Sequence, residues 1–352
     1  MDTANRWPVL FAPPVDREPD DPAPPAILAD HLGKARGSNR APINCISFCI
    51  AQGEFFGLIG PAGAGKTALM RMFATLSVPD SGRLYLLGHD AHSHASLARR
   101  GIGYMARRGG IDPVLTGEEH VRLAVRLHGL GRGDAARRVA QLLGLLDLRT
   151  LADRRTRTYP IGARRRLALA CALAAHPRLL LLDDPTSGLP PTEQQTIRRI
   201  LRVVHVEEQA TVILATDQLE EAEALCGRVG ILDAGRLIAL GSLSELQAQV
   251  SGATVTIHLA PGALVGIAAV LVESLVGVKA VWSRPDRLEA HVVSAHTLPI
   301  ILRLLEEHEI PVRQAVLGKS SLDEVFFRHT GRTIRDAQPP STVGTGAPES
   351  RS

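Results

Sequence analysis

The chain has 352 residues, enough for two domains, and 45% of them are hydrophobic, as is usual for globular proteins. No run approaches the roughly 18 apolar residues of a membrane-spanning helix, and the short, proline-broken stretch 7–14 lacks the pattern of a signal peptide. A net charge of only +4 and an aromatic content of 3% disfavour nucleic acid as a partner. We therefore expect a cytoplasmic protein that is not inserted in a membrane.

The two ends of the chain differ in composition from the rest. Residues 1–28 are rich in proline and acidic residues, and the tail 334–352 is similarly poor in apolar residues. Such segments bury too little apolar surface to offset the entropy of ordering, so both are predicted to be disordered. Between them, the pattern predicts a larger α/β unit over 29–250 and, after a Ser-Gly break, a smaller unit over 252–333.

A phosphate-binding P-loop is the strongest functional signal in the first unit. The motif G-x-x-x-x-G-K-[ST] is spelled by Gly60, Pro61, Ala62, Gly63, Ala64, Gly65, Lys66 and Thr67. The run 55–59 before it has the pattern of a buried strand, and the apolar spacing after it is that of a helix. Glycines allow backbone N–H groups to face a phosphate, and the helix N-terminus adds positive charge. Lys66 is expected to reach the β- and γ-phosphates of ATP, and Thr67 to offer its hydroxyl to Mg²⁺.

Apolar runs elsewhere in this unit indicate the fold around the loop. The runs 55–59, 179–182 and 212–215 are nearly continuous and are separated by long helical stretches. That pattern is typical of a parallel sheet covered on both faces. The stretch 117–175 instead has the pattern of three amphipathic helices, which predicts a helical insertion over about 110–175.

Two adjacent aspartates, Asp183 and Asp184, follow the apolar run 179–182. In P-loop proteins a carboxylate at the end of such a strand holds Mg²⁺, so we expect Asp183 to do so opposite Thr67. The alternative is that the two acids only cap the next turn.

The second unit has the pattern β-α-β-β-α-β. Its first strand alternates apolar and polar residues over 254–259, and Ser321 to Glu324 near its end has the spacing of a helix capping box. This order predicts a small ferredoxin-like α+β domain, in which no residue pattern points to catalysis.

With these motifs in this order, the chain resembles the ATP-binding subunits of ABC transporters. The resemblance covers about residues 30–330 and includes Thr116-Gly117-Glu118-Glu119, Arg164-Arg165-Arg166-Leu167, Asp183-Asp184-Pro185-Thr186-Ser187-Gly188-Leu189 and Leu219-Glu220-Glu221-Ala222-Glu223. The C-terminal Ser321-Leu322-Asp323-Glu324-Val325-Phe326 and Thr330-Gly331-Arg332 are similar to those of the daunorubicin-resistance type.

The resemblance implies a fold, a ligand and partners. The fold is a P-loop NTPase domain of the ABC type with a helical insertion, followed by the small α+β domain. The ligand is Mg-ATP. The partners are a second ATP-binding subunit, either another copy or a paralogue, and a separate membrane permease that exports drugs, antibiotics or lipids. The protein would then lie on the cytoplasmic face of the cell membrane, with the permease docked around Arg107 and the 110–175 region.

Several positions that carry functional residues in the family differ here. Arg36 replaces an aromatic residue that stacks on adenine, and Arg107 replaces a glutamine that contacts metal and water. Pro160, Ile161 and Gly162 replace the Ser-Gly-Gly signature loop, which acts on the partner subunit's ATP. Asp184 replaces the catalytic glutamate, Pro190 replaces an aspartate, and Asp217 replaces a histidine that contacts the γ-phosphate. A guanidinium cannot coordinate Mg²⁺, and the Asp184 carboxylate should fall about 1 to 1.5 Å short of the water it would orient. An ionised Asp217 repels the γ-phosphate. Binding of Mg-ATP is therefore expected to be retained and hydrolysis to be weak.

These departures leave alternatives open. The chain is either an exporter subunit that hydrolyses ATP slowly or a regulatory or scaffold subunit that binds nucleotide without productive turnover. A soluble ABC-type ATPase acting on ribosomes or DNA is disfavoured, because only one P-loop is present. Arg107 and Asp217 either form an ion pair that replaces a catalytic relay or represent two independent losses.

Overall fold

The computed structural model describes residues 24–35, 43–107, 110–249, 253–260, 263–284, 286–294, 296–318 and 322–334. They fall into two compact units that divide between Leu237 and Ile238. Within the described ranges, no helix is both long enough and apolar enough to cross a membrane.

The first unit combines two sheets with seven helices in its described part. Its elements are β1 (Ile27–Lys34), β2 (Ile43–Ile50), β3 (Phe55–Ile59), α1 (Lys66–Phe73), β4 (Ser81–Leu86), β5 (His89–Asp90), α2 (Ala95–Arg100), β6 (Ile102–Met105), α3 (Gly117–Leu127), α4 (Arg132–Leu145), α5 (Ile161–Ala172), β7 (Leu179–Asp183), α6 (Pro191–Glu208), β8 (Thr211–Thr216), α7 (Leu219–Leu225) and β9 (Arg228–Asp233). The division between the units falls within β10 (Arg236–Ser242).

A six-stranded sheet of order β10-β9-β3-β8-β7-β6 forms the centre of this unit. The pairings β3–β8, β3–β9, β6–β7 and β7–β8 are all parallel. Every residue of β3, β7 and β8 is buried, because helices cover both faces of the sheet and select continuous apolar runs. The register sets Ile59 beside Thr216 and Asp183 beside Ala215, so the carboxyl ends of three strands meet at one edge.

Helices α3, α4 and α5 lie in the region of the predicted helical insertion. Helix α3 starts at a capping box in which the Thr116 hydroxyl accepts from the Glu119 N–H and the Glu119 carboxylate accepts from the Thr116 N–H. Helix α3 packs against α4 and α5. The second, antiparallel sheet of the unit has the order β2-β1-β4-β5.

The second unit has the predicted β-α-β-β-α-β order. Its elements are α8 (Leu243–Gln249), β11 (Ala253–Leu259), α9 (Val265–Glu273), β12 (Val278–Arg284), β13 (Arg287–Val292), α10 (Thr297–Glu307), β14 (Val312–Gly318) and α11 (Leu322–Thr330). The antiparallel sheet has the order β12-β13-β11-β14. Alternate residues Val255, Ile257 and Leu259 of β11 enter one core with Ala268 of α9 and Ile301 of α10, as the alternating pattern predicts.

Two predicted boundaries differ from the structure. Strand β1 starts at Ile27, within the segment 1–28 that composition predicted to be disordered, because Ile27 pairs with Ile50 and Leu86, far along the chain. The second unit begins at Ile238 rather than near 252, because α8 packs against α11. Residues 1–23 and 335–352 lie outside the described residues.

Glu324, the acid of the predicted capping box, belongs to a buried polar cluster. Its carboxylate accepts a hydrogen bond from the Thr254 hydroxyl and lies 2.9 Å from Nδ1 of His291. All three side chains are buried, so this polar cluster ties α11 to the face of the sheet opposite the apolar core. Ser321, the predicted cap, lies outside the described residues.

Replacing Glu324 tests this cluster. Glu324→Ala should destabilise the second unit by about 2 to 4 kcal/mol, because Thr254 and His291 are left buried without their acceptor. Urea unfolding in a Trp7→Phe background measures the change through the fluorescence of Trp282, whose ring centroid lies 6.1 Å from that of Phe327. The matched control Glu307→Ala, at an exposed position of α10, should change stability by less than about 0.5 kcal/mol. Equal effects of the two substitutions would contradict a stabilising role for the cluster.

Candidate nucleotide-binding site

The P-loop connects β3 to α1 and takes the shape that its glycines allow. Gly63 and Gly65 have φ values of 83° and 110°, in the left-handed region that favours glycine. A Cβ on Gly65 would lie 2.7 Å from Cδ1 of Ile43, and a Cβ on Gly60 would overlap the carbonyl oxygen of Leu232 in β9. Glycine is therefore required at Gly60 by packing as well as at Gly65 by conformation.

Lys66 is the first residue of α1 and is buried. Its Nζ donates to the carbonyl oxygens of Gly60 at 2.5 Å and Pro61 at 3.1 Å, so the ammonium lies within the loop. Burial lowers the pKa of Lys66, and the nearby carboxylates of Asp184 and Asp217 oppose this effect. The loop thus holds a cation where a phosphate chain would enter.

Thr67 and Asp183 are brought together as the sequence predicted. The Thr67 hydroxyl donates to Oδ1 of Asp183 at 3.1 Å. Asp183 is fully buried at the end of β7, and its Oδ2 has no hydrogen-bond partner among the residues that the structure describes. Burial raises the pKa of Asp183, and the bond from Thr67 opposes the rise.

This pair fits a magnesium ion. A carboxylate oxygen and a hydroxyl are ligands that Mg²⁺ prefers, and the unpartnered buried oxygen is accounted for by a cation or its bound water. Among the described residues, no group of three or more His, Cys, Asp or Glu could hold a metal by itself. The ion would therefore depend on phosphate oxygens and water for most of its ligands.

Asp184 and Arg107 form an ion pair, with Nε of Arg107 3.3 Å from Oδ2 of Asp184. The Asp184 side chain is only 2% exposed and that of Arg107 is 41% exposed. Burial raises the pKa of Asp184 to about 6, opposed by Lys66 and Arg107 and reinforced by the carboxylates of Asp217 and Asp183. Asp184 has a φ of 49°, which turns the chain at the end of β7.

The ion pair of Arg107 is not the one with Asp217 that we gave as one of two alternatives. Asp217 follows β8 and is close enough for its charge to act on Lys66 and Asp184. The ion pair of Arg107 is nevertheless with Asp184, because β6 and β7 are neighbouring strands in the sheet. Two of the positions where this sequence departs from the family's residues are thus paired with each other.

The predicted signature-loop residues, 160–162, lie at the start of α5. Pro160 and Ile161 are exposed at the start of α5, as a loop facing another subunit requires, whereas Gly162 is buried where a Cβ would overlap the Glu193 carboxylate. Arg36 lies outside the described residues.

Two residues of the site were missed by the sequence reasoning. Burial lowers the pKa of Arg165, on α5, and the nearby carboxylates of Asp184 and Asp183 oppose this effect. Burial and the Asp183 carboxylate raise the pKa of Tyr104, on β6, to about 12. Tyr104 lies beside Leu181 of β7, a strand pairing that was not predicted from the sequence.

Comparison with known proteins places the chain in a family. Residues 43–187 match the domain described as ABC transporter. A daunorubicin resistance ATP-binding protein of Streptomyces coeruleorubidus is 36% identical over 321 residues, covering 89% of this chain and 98% of that protein. A linearmycin resistance ATP-binding protein of Bacillus subtilis is 32% identical over 313 residues, which cover 88% of this chain and 100% of that protein.

Solved structures agree on the fold of the first unit. An ATP-binding subunit of an ABC transporter superposes with a TM-score of 0.57 at 26% identity, covering 64% of this chain and 92% of that one. A dimeric ATP-binding cassette in a post-hydrolysis state with ADP and phosphate superposes with a TM-score of 0.56 at 24% identity, covering 62% and 98% respectively. The predicted fold class is confirmed.

Because relatives that are 32% and 36% identical match the chain over most of its length and nearly all of theirs, the chain belongs to the ABC transporter family, among ATP-binding proteins of the daunorubicin-resistance type.

Proposed function

We propose that the chain binds Mg-ATP at Gly60 to Thr67, hydrolyses it weakly, and acts as the ATP-binding subunit of a drug, antibiotic or lipid exporter. Glycine geometry, the position of Lys66 and the Thr67–Asp183 contact support nucleotide binding. The two relatives named for daunorubicin and linearmycin resistance support the export of such compounds.

The ion pair between Arg107 and Asp184 carries the proposal of weak hydrolysis. A catalytic base must be within hydrogen-bond reach of the attacking water and free to accept its proton. The Asp184 carboxylate is buried and is held 3.3 Å from a guanidinium, so its charge is already compensated. The nearby Asp217 adds negative charge where the γ-phosphate would develop more of it. Each of these features lowers the rate without removing the binding site.

A groove on the helical insertion supports a permease partner. The groove has a volume of about 670 Å³ and is lined by apolar residues, among them Ile111, Pro113, Leu115, Leu123 and Leu127. Leu127 is 77% exposed and Leu123 is 49% exposed, so α3 presents apolar surface to a partner. An amphipathic helix from the cytoplasmic side of a membrane protein would fit such a groove. The chain would then act on the cytoplasmic face of the cell membrane.

The exposed Pro160 and Ile161 support assembly with a second ATP-binding subunit, a copy or a paralogue. A regulatory or scaffold subunit without productive turnover is the second candidate function. The same ion pair favours it, since a closed Arg107–Asp184 contact leaves no free base at all.

Lys66→Ala tests nucleotide binding. We expect at least about a 100-fold loss of affinity for Mg-ATP, because a charge-assisted contact to phosphate is removed from a buried site. Isothermal titration of the purified chain measures it, with Lys279→Ala in the second unit as the matched control. Equal affinities of the Lys66 variant and the native chain would contradict a nucleotide site at this loop.

Restoring the family residues tests weak hydrolysis. With its permease, the native subunit should turn over more slowly than about 1 s⁻¹, below the usual range for enzymes. The triple variant Arg107→Gln, Asp184→Glu, Asp217→His should be at least about tenfold faster, because a longer, unpaired carboxylate can reach the water.

Phosphate release measures both rates, and the single variant Asp217→His separates γ-phosphate repulsion from the ion pair. If the triple variant hydrolyses ATP at the same rate as the native subunit, the proposal that these residues weaken hydrolysis is wrong. Activation of the triple variant from a native rate of zero would favour the scaffold function.

A further inference from the structure

A buried carboxylate behind the nucleotide site has no role in the proposed reaction. Glu221 belongs to the first turn of α7 and is fully buried, 0% exposed. Burial raises its pKa, and two hydrogen bonds from threonine hydroxyls oppose the rise. A buried carboxylate is costly unless its oxygens are satisfied, so its partners indicate why it is there.

The two carboxylate oxygens of Glu221 accept from different elements, one from the loop after β7 and one from the last residue of β8. Thr186 Oγ1 donates to Oε1 at 2.9 Å, and Thr216 Oγ1 donates to Oε2 at 2.8 Å. The Thr216 hydroxyl in turn accepts from the N–H of Gln218 at 3.1 Å. Both threonines are buried, so water does not compete for these bonds. We name this group, Glu221 with Thr186 and Thr216, the Glu221 clamp.

The clamp lies just beyond the end of the ladder between β7 and β8. The last contacts between β7 and β8 are the Asp183–Ala215 pairing and the hydrogen bond from the Asp184 N–H to the Ala215 carbonyl at 2.8 Å. Past this point the chain turns away at Asp184, whose φ is 49°. Thr186 follows Asp184 by two residues, and Thr216 directly precedes Asp217. The clamp therefore joins the two loops where the ladder no longer does.

We propose that Glu221 is a positioning residue that fixes the loop after β7 to the loop after β8, so that Asp184 and Asp217 keep their places beside the P-loop. The carboxylate touches neither Lys66 nor Thr67 by hydrogen bond; it acts through Thr186 and Thr216. Its consequence for nucleotide binding rests on the proposed function, whereas the clamp itself does not.

Hydrogen exchange of the nucleotide-free chain tests the clamp directly. Glu221→Gln keeps the shape but removes one acceptor, so we expect the Gln218 and Leu189 amides to exchange about tenfold faster. The matched control Glu220→Gln, one residue away and exposed on the same helix, should leave both amides unchanged.

Thr186→Val keeps the test decisive if the Glu221 variant does not fold. This change lies in the loop after β7, yet the clamp requires it to speed exchange at Gln218, in the loop after β8. Faster exchange confined to residues 184–189, or an equal effect of the Glu220 control, would overturn the proposal.

Nucleotide affinity tests the consequence. Asp217 repels a γ-phosphate, so loosening its loop in Glu221→Gln should raise the affinity for Mg-ATP about 5- to 10-fold and leave that for Mg-ADP within about twofold. A general loss of structure would instead lower the affinities for Mg-ATP and Mg-ADP equally, and that result would overturn a positioning role. If the native chain binds neither nucleotide, the proposed function fails, while the exchange experiment still decides the clamp.

Discussion

The parallel pairing of β8 with β3 on one side and with β7 on the other is the contact on which the candidate site depends. Its register sets Ile59, Asp183 and Thr216 at one edge of the sheet, so three loops that are far apart in sequence begin side by side. The P-loop follows β3, Asp184 follows β7 directly after Asp183, and Asp217 follows β8. In parallel α/β sheets, ligands bind at the carboxyl ends of the strands, and the candidate site has this placement.

The charges gathered at this edge are unusually dense. Asp183, Asp184 and Asp217 lie near Lys66 and Arg107, and Arg165 is close enough to act on the first two. Asp183, Asp184 and Lys66 are buried, so each of the two buried carboxylates needs a nearby cation to remain ionised. Lys66 and Arg107 already supply part of that compensation inside the chain. An incoming Mg-nucleotide must therefore exchange partners with groups that are already paired.

The sequence could predict those parts of the site that depend on neighbours in the chain. The P-loop and the Thr67–Asp183 contact follow from short motifs and one strand pairing. The partner of Arg107 could not be predicted, because it depends on which strand lies beside β6 and on the left-handed turn at Asp184. Strand β1 and the buried position of Glu324 were missed for a similar reason: their partners are distant in sequence, and a local pattern does not contain them.

Gly60 shows how a motif can persist for reasons unrelated to chemistry. Any side chain at this position would collide with the Leu232 carbonyl of β9, and that collision is the same whether a nucleotide is cleaved, only bound or absent. Mutations at Gly60 are therefore selected against because they disrupt folding, whatever their effect on turnover. Asp217 has no such backbone requirement, so its side chain is free to diverge. In a lineage that gives up hydrolysis, the loop would be the last part of the site to change.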